Sequence, residues 1–160
     1  MDLVRDQLRS FLSKYYVLDK DIYTDDHKKA SFLKFLVDRR NASLGDSLIN
    51  FIYSCTKSMA LEECTGIKIS DDILIQGFYA SELFTWLKIP GKKKDQANAI
   101  EALIFYMWLV FEYSIEEMAI NLLSKLQNTT LNLNNVIEEK RIASLAFTNL
   151  FDSFNILIKN

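Results

Sequence analysis

Apolar residues recur along most of the chain with the three- to four-residue spacing of amphipathic helices. Near the N-terminus this spacing predicts a helix over residues 2–16, whose inward positions are Leu3, Leu8, Phe11, Leu12 and Tyr15. The polar stretch that follows interrupts the pattern. A second helix, capped by Thr24 or Asp25, is then predicted to run to about Arg40.

A long helical pattern begins at residue 41. It predicts a third helix over residues 41–64, ended by Gly66, whose core-facing stripe consists of Leu44, Leu48, Phe51, Ile52, Cys55 and Met59. A fourth helix is predicted over residues 68–89, because Ser70 is a favourable cap and a Pro-Gly pair follows the last apolar residue.

Three further helices are predicted in the C-terminal half. The fifth, over residues 92–113, is apolar nearly all round after Ala102, so we expect it to be the buried central helix. A sixth helix over residues 114–126 precedes a polar connector, residues 127–135, and a seventh helix over residues 136–158. Together these patterns predict an all-α fold of about seven helices.

Composition supports this interpretation and limits the function. The 160 residues are enough for one domain with a substantial core, and four glycines and one proline favour long helices over a turn-rich β fold. Residues 1–127 are predicted to form this domain, with residues 128–160 as a polar connector and a C-terminal helix packed on it. The net charge of -2 means that any nucleic-acid role must depend on a local basic patch or on metal ions.

The cysteines and the N-terminus predict a cytoplasmic protein with no membrane partner. Cys55 and Cys64 lie on the predicted third helix, roughly 13 Å apart at about 1.5 Å per residue, too far for a disulfide. The first residues, "MDLVRDQLRSFL", contain no apolar signal core, and the longest apolar run, residues 102–111, is about half a membrane span. We therefore expect free thiols in a reducing compartment.

Two carboxylates occur among small residues on predicted helices. Asp46 follows Gly45 on the third helix, and Glu101 lies between Ala97 and Ala102 on the fifth. Small residues let two helices approach closely, so a crossing at Gly45 and Ala97 or Ala102 would bring the two carboxylates together. Such a pair either shares a proton or binds a cation, and hard oxygen ligands suit Mg²⁺ or Mn²⁺.

The same residues also allow plainer interpretations. Asp46 could be the N-cap of a helix that begins there, with a loop before it. Glu101 could pair with a lysine or arginine at the surface.

Asn98, three residues before Glu101, is predicted to project from the same face of the fifth helix.

The motifs "SLGDSLINFIYS" and, later, "NAIEALIFYMWL" together resemble the catalytic domain of ribonuclease III. That family carries a Leu-Gly-Asp-(Ala/Ser) core on its signature helix and an Asp-x-x-Glu-Ala pattern on a later helix, and the resemblance covers about residues 24–112. Two of four acidic positions are kept, Asp46 and Glu101, whereas the other two are Ala42 and Asn98. The chain also resembles compact members without a double-stranded-RNA-binding domain and, in length and in the "LGDSLINFI" wording, small archaeal relatives.

The resemblance implies a metal-dependent endoribonuclease that cleaves double-stranded or structured RNA to 5′-phosphate and 3′-hydroxyl ends. Asp46 and Glu101 would ligate Mg²⁺ or Mn²⁺, and Asn98 would contribute a carbonyl oxygen or hold a metal-bound water. It also implies a homodimer, with the signature helix at the interface and one strand cut by each subunit. The residues after Gln127 predict no double-stranded-RNA-binding module, so the catalytic domain itself would hold the RNA.

Five basic residues close to the two motifs are candidate RNA contacts, namely Arg39, Arg40, Lys92, Lys93 and Lys94. They could bind phosphates beside the site, or they could be solvated surface charges. Two other functions each fit part of the sequence. A non-catalytic RNA-binding or assembly protein would explain Ala42 and Asn98, and a helical interaction module would explain the acidic balance.

Overall fold

The structure is a computed structural model that describes residues 2–127 and 135–160, so most of the predicted connector lies outside the described residues. Within them the chain forms seven α-helices, one short 3-10 helix and no strand, which confirms the predicted all-α fold. The α-helices are α1 (Asp2–Leu12), α2 (Asp26–Leu36), α3 (Arg39–Leu61), α4 (Asp71–Tyr79), α5 (Lys93–Leu109), α6 (Ile115–Gln127) and α7 (Val136–Lys159).

Helix α5 is the buried centre of the fold, as its sequence predicts. Every residue from Ala99 to Val110 is less than one-tenth exposed, and α1, α2, α3 and α4 all pack against this helix. The hydroxyl of Tyr106 donates to the carbonyl of Asp19 at 2.8 Å, which satisfies the polar end of a buried side chain. Glu101 is the one charged residue in this stretch, and a charge so placed is costly unless something compensates it.

The boundary between α2 and α3 differs from the prediction. Helix α2 is capped by Asp25, as expected, but it ends at Leu36 and not near Arg40. The reason is Asp38, which adopts an extended backbone and accepts a hydrogen bond from the N–H of Arg40 at 2.9 Å. This cap starts α3 two residues before the predicted position.

The end of α3 also differs from the prediction. The helix stops at Leu61, and the residue in the left-handed conformation is Glu62, with φ of 55°, and not Gly66. The N–H of Glu62 and that of Glu63 both bond to the carbonyl of Ser58, which closes the helix without a glycine.

The predicted fourth helix is divided in two. Ser70 caps α4, as predicted, but the helix ends at Tyr79 and a 3-10 helix, Glu82–Thr85, follows. At the break the hydroxyl of Ser81 donates to the carbonyl of Phe78 at 2.7 Å. Asp152 accepts from the N–H of Glu82 at 2.8 Å, so side chains satisfy the backbone groups that a continuous helix would pair.

The core-facing side of α3 differs in part from the predicted stripe. Ile52 is buried as predicted, but Leu44, Phe51 and Met59 are 47%, 58% and 45% exposed. The other buried residues are Asn41, Ala42, Gly45, Ile49, Tyr53 and Thr56. Small residues face α5 because the two helices lie very close together, and the larger apolar side chains are consequently turned to the surface.

Helix α1 ends at Leu12, earlier than predicted, and Leu12 is its one buried residue. Three of the positions predicted to face inward, Leu3, Phe11 and Tyr15, are more than half exposed. The helix lies across the C-terminal end of α5, where the guanidinium of Arg9 donates to the carbonyl of Leu109. Much of the apolar face of α1 is therefore at the surface.

Helix α7 packs against α4 and α6. A Cβ atom at Gly77 of α4 would lie 2.8 Å from the Cβ of Phe147, so the two helices touch closely at that point. Near the start of α7, Glu139 accepts from Lys57 at 2.6 Å and from the hydroxyl of Tyr53 at 3.1 Å. The side chains of Lys57 and Glu139 are both nearly buried, and this ion pair links α7 to α3.

Candidate active site

The site lies where α3 crosses α5. A Cβ atom built on Gly45 would lie 1.9 Å from the carbonyl oxygen of Glu101 and 3.1 Å from the backbone nitrogen of Ala102. No other residue type fits there without moving a helix, so the predicted crossing is confirmed. Because α3 begins seven residues before Asp46's position, with its cap at Asp38, the alternative that Asp46 is an N-cap is wrong.

The crossing brings the carboxylates of Asp46 and Glu101 together. Glu101 is 4% exposed, whereas Asp46 is half-buried. Burial is the largest cause that raises the pKa of Glu101, to about 7, and the negative charge of Asp46 and a hydrogen bond with it act in the same direction. Glu101 is therefore not a surface residue paired with a cation, and the second plain alternative is also wrong.

Two lysines, Lys68 and Lys94, and the carboxylate of Asp71 lie near this pair. Lys68 Nζ lies 3.7 Å from Asp46 Oδ2, and Lys94 Nζ lies 3.2 Å from Asp71 Oδ2. The charge of Lys94 lowers the pKa of Glu101, and that of Asp71 raises it, so both lie within electrostatic range of the buried carboxyl. Both lysines are mostly exposed and can be reached from solvent.

Comparison with known proteins identifies the family. The sequence model of ribonuclease III matches residues 39–159, which is about three-quarters of the chain and includes both carboxylates. The chain belongs to the ribonuclease III family. A comparison with curated protein sequences finds no match.

The two positions at which the chain departs from the usual ribonuclease III acids have different surroundings. Ala42 is 3% exposed and belongs to the hydrophobic core. Asn98 is half-buried and lines a cleft of about 220 Å³ together with Val37, Arg39, Pro90, Gly91 and Asp95. Its role as a ligand stays a prediction.

The donor atoms fit a hard divalent cation, but the set is small. Asp46 and Glu101 offer carboxylate oxygens, which Mg²⁺ and Mn²⁺ prefer. A cation between them would offset both the burial of the Glu101 charge and its repulsion by Asp46, which together raise the pKa of Glu101. Among residues 2–127 and 135–160, no group of three or more acidic, histidine or cysteine side chains converges on one point. Further ligands would have to be an amide oxygen, water or RNA phosphate.

Most of the predicted RNA-contacting residues have carboxylate partners in the structure. Lys93 pairs with Asp72. Arg40 makes two hydrogen bonds to Asp38, at 2.8 and 3.1 Å, and Arg39 lies 3.9 Å from Asp95. Lys92 is the N-terminal boundary residue of α5, and Lys93 and Lys94 begin the helix. All four paired side chains remain more than 60% exposed, so contact with RNA stays a prediction.

Sequence reasoning missed three residues around the carboxylate pair, namely Asn50, Lys68 and Asp71. Asn50 donates from Nδ2 to Asp46 Oδ1 at 2.9 Å, and its position four residues after Asp46 was a signal for this contact. Lys68 lies in the irregular segment before α4, and Asp71 is the first residue of α4. No local pattern indicated that this part of the chain would reach α3. None of the described helices combines the length and the apolar composition that crossing a membrane requires.

Proposed function

We propose that this member of the ribonuclease III family is a metal-dependent endoribonuclease that cleaves double-stranded or structured RNA. The observation that carries the proposal is the meeting of Asp46 and Glu101 at the Gly45 crossing, in a chain whose family cleaves RNA. The products would be a 5′-phosphate and a 3′-hydroxyl. Water would attack the phosphorus, the bond from phosphorus to the 3′ oxygen would break, and that oxygen would take up a proton.

Asp46 and Glu101 would hold Mg²⁺ or Mn²⁺, and Asn98 is the proposed third ligand. When bound, the ion would neutralise phosphate charge and favour ionisation of the attacking water. The protein's own contribution is orientation, because Glu101 is fixed on the most buried helix of the fold and Asp46 is fixed by the helix crossing. Lys68, Lys94 and the predicted contacts Arg39, Arg40, Lys92 and Lys93 would bind RNA phosphates around the pair.

The decisive experiment is cleavage of an end-labelled RNA duplex with Mg²⁺ or Mn²⁺. Wild type is compared with Asp46→Asn and Glu101→Gln, and Glu116→Gln, an exposed acid on α6, is the matched control. We expect cleavage by wild type and the control, and at least a hundredfold loss in the two site variants. Equal cleavage by all four proteins would show a contaminating nuclease and would refute the assignment.

A catalytically inactive RNA-binding or assembly protein is the second candidate. It is favoured by Ala42 and Asn98 and by the absence of a larger acidic cluster among the described residues. In this case wild type would bind the duplex without cutting it. Divalent ions would also leave its melting temperature unchanged, because only a ligand that binds the native state stabilises it.

We also propose that the protein is a homodimer that pairs through α3. On this helix Leu44, Phe51 and Met59 form an exposed apolar stripe, and Phe11 of α1 borders the same cleft as Leu44. Exposed apolar side chains grouped on one face are typical of an interface, and a two-fold axis suits a two-stranded substrate.

Light scattering after size exclusion tests the dimer. Phe51→Lys should give a monomer, whereas Leu145→Lys should not, although Leu145 on α7 is 54% exposed and Phe51 is 58% exposed. A wild-type protein that stays monomeric at high micromolar concentration would exclude the dimer.

We place the protein in the cytoplasm, where its two free thiols, Cys55 and Cys64, would stay reduced.

A further inference from the structure

Asp46 lies at the end of a row of polar side chains that runs along one side of α3. Asn50, Ser54 and Ser58 follow it at intervals of four residues, and we call these three residues the polar ladder. Residues four apart share a helix face, so the ladder forms a line that ends at Asp46.

The polar ladder binds the backbone of the irregular segment 65–70. Ser58 accepts from the N–H of Thr65 at 2.9 Å, and Ser54 accepts from the N–H of Ile67 at 2.9 Å. Both hydroxyls also donate to the carbonyl of the same residue, at 3.2 Å. Four residues of helix rise about 6.0 Å and two residues of extended chain about 6.6 Å, so the two repeats match.

Asn50 is the last member of the ladder and differs from the two serines. Its Oδ1 accepts from the N–H of Ile69 at 2.7 Å, which continues the pattern. Because that N–H can only donate, the amide oxygen must face Ile69, and the NH₂ group must face the opposite way. It donates to Asp46 Oδ1 at 2.9 Å, so chemistry fixes the orientation of this amide.

Asn50 binds only one of the two carboxylate oxygens of Asp46, Oδ1. The other, Oδ2, lies 3.7 Å from Lys68 Nζ, and Lys68 belongs to the segment that the ladder holds. Asn50 therefore contacts both the Asp46 carboxylate and the chain that carries Lys68. Groups that orient a metal ligand in this way change metal affinity roughly 10- to 100-fold when they are removed.

We infer that Asn50 is a positioning residue, which fixes the Asp46 carboxylate for binding of a divalent cation by coupling it to segment 65–70. This inference rests on the proposed function, because it assigns Asp46 as a metal ligand. Ser54 and Ser58 bind only segment 65–70, whereas Asn50 binds both this segment and the proposed ligand Asp46.

The test is Mn²⁺ affinity, measured by electron paramagnetic resonance without RNA, together with the melting temperature in EDTA. Asn50→Ser is the informative variant, because a serine at this position repeats the ladder contact seen at Ser54 and Ser58 but is too short to hold Asp46. Asn50→Ala removes both contacts. Ser54→Ala is the control, since it likewise loses two hydrogen bonds, but both are to the segment and neither involves Asp46.

We expect Asn50→Ser and Asn50→Ala to bind Mn²⁺ at least tenfold more weakly than wild type, while Ser54→Ala binds within about twofold of it. Asn50→Ser should melt within a few degrees of wild type, and the two alanine variants should lose similar stability. Mn²⁺ affinity that is unchanged in both Asn50 variants would overturn the inference while leaving the proposed function intact. If wild type binds no Mn²⁺, or if Asp46→Asn binds it as tightly, both proposals fail.

Discussion

Gly45 and Glu101 make the closest approach between α3 and α5, since a Cβ atom on Gly45 would lie 1.9 Å from the Glu101 carbonyl oxygen. This contact holds the backbones of two helices together directly beside the two carboxylates. It relates stability to function, because the glycine that permits the crossing also places Asp46 next to Glu101.

The first prediction concerns this glycine. Gly45→Ala should lower the free energy of unfolding by about 3 kcal/mol or more, because the new methyl group meets backbone that cannot rotate away. This loss should appear although alanine is the better helix former by about 1 kcal/mol. Urea denaturation measures it. Gly66→Ala is the control, since a Cβ there meets nothing within 4 Å, and it should change stability by less than about 0.5 kcal/mol.

The second prediction concerns pH. The pKa of Glu101 is raised from 4.5 to about 7 in the folded protein, so the native state holds a proton that the unfolded state has lost between these values. The stability contributed by this group is therefore present below about pH 4.5 and is lost as the pH rises to about 7. Glu101→Gln should match wild type near pH 4.5 and be more stable at pH 8.

Thermal melting in EDTA across this pH range tests the second prediction, with the difference between variant and wild type as the observable. Other titrating groups, such as Asp38 and Glu112, occur in both proteins and cancel in this difference. If the difference in melting temperature between Glu101→Gln and wild type does not change with pH, the pKa of Glu101 is the same in the folded and the unfolded protein. With Mn²⁺ present at pH 8 the order should reverse, since only wild type gains stability from the ion.

The third prediction concerns Asn98. Asn98→Asp should tighten Mn²⁺ binding severalfold, because it returns a carboxylate to the position three residues before Glu101. The control is Gln7→Glu, which replaces an exposed amide on α1 with an acid. It adds the same charge on a different helix and should leave the Mn²⁺ affinity unchanged. Calorimetric titration of both variants measures the effect. Equal affinities in Asn98→Asp and wild type would remove Asn98 from the set of ligands.

The fourth prediction concerns the nearly buried pair between α3 and α7. Lys57→Met should lower the free energy of unfolding by about 3–5 kcal/mol, because it leaves Glu139 charged without its cation. The double variant Lys57→Met with Glu139→Gln should recover most of this loss, since neither charge is then buried and the amide oxygen can still accept from Tyr53. Urea denaturation of the single and double variants gives the coupling between the two residues. A double variant as unstable as Lys57→Met would mean that packing, and not charge, explains the loss.

Local patterns were sufficient for some features because their causes lie in neighbouring residues. The continuous apolar run after Ala102 could only be a buried helix, and the structure encloses it on all sides. Asp25 and Ser70 cap helices as predicted, because a cap depends on hydrogen bonds within three residues. The meeting of Asp46 and Glu101 was also predictable, because the small residues beside them indicated a close crossing.

Other features depended on contacts between distant parts of the chain. Hydrophobicity favoured Leu44 and Phe51 as core positions of α3, but the closeness of α5 buries Gly45 and Ala42 instead. The ends of α3 are likewise set by Asp38 and Glu62, and not by the residues with the strongest general preference.

The sequence by itself determined the helical class, the central position of α5 and the two carboxylates that meet, because periodicity and residue size act locally. Only the tertiary structure decided which face of α3 is buried and which groups surround Asp46. Segment 65–70 reaches Asn50 through backbone hydrogen bonds that depend on no particular side chain in the segment. Such contacts leave no pattern in the sequence of the segment, and they become visible only when the chain is folded.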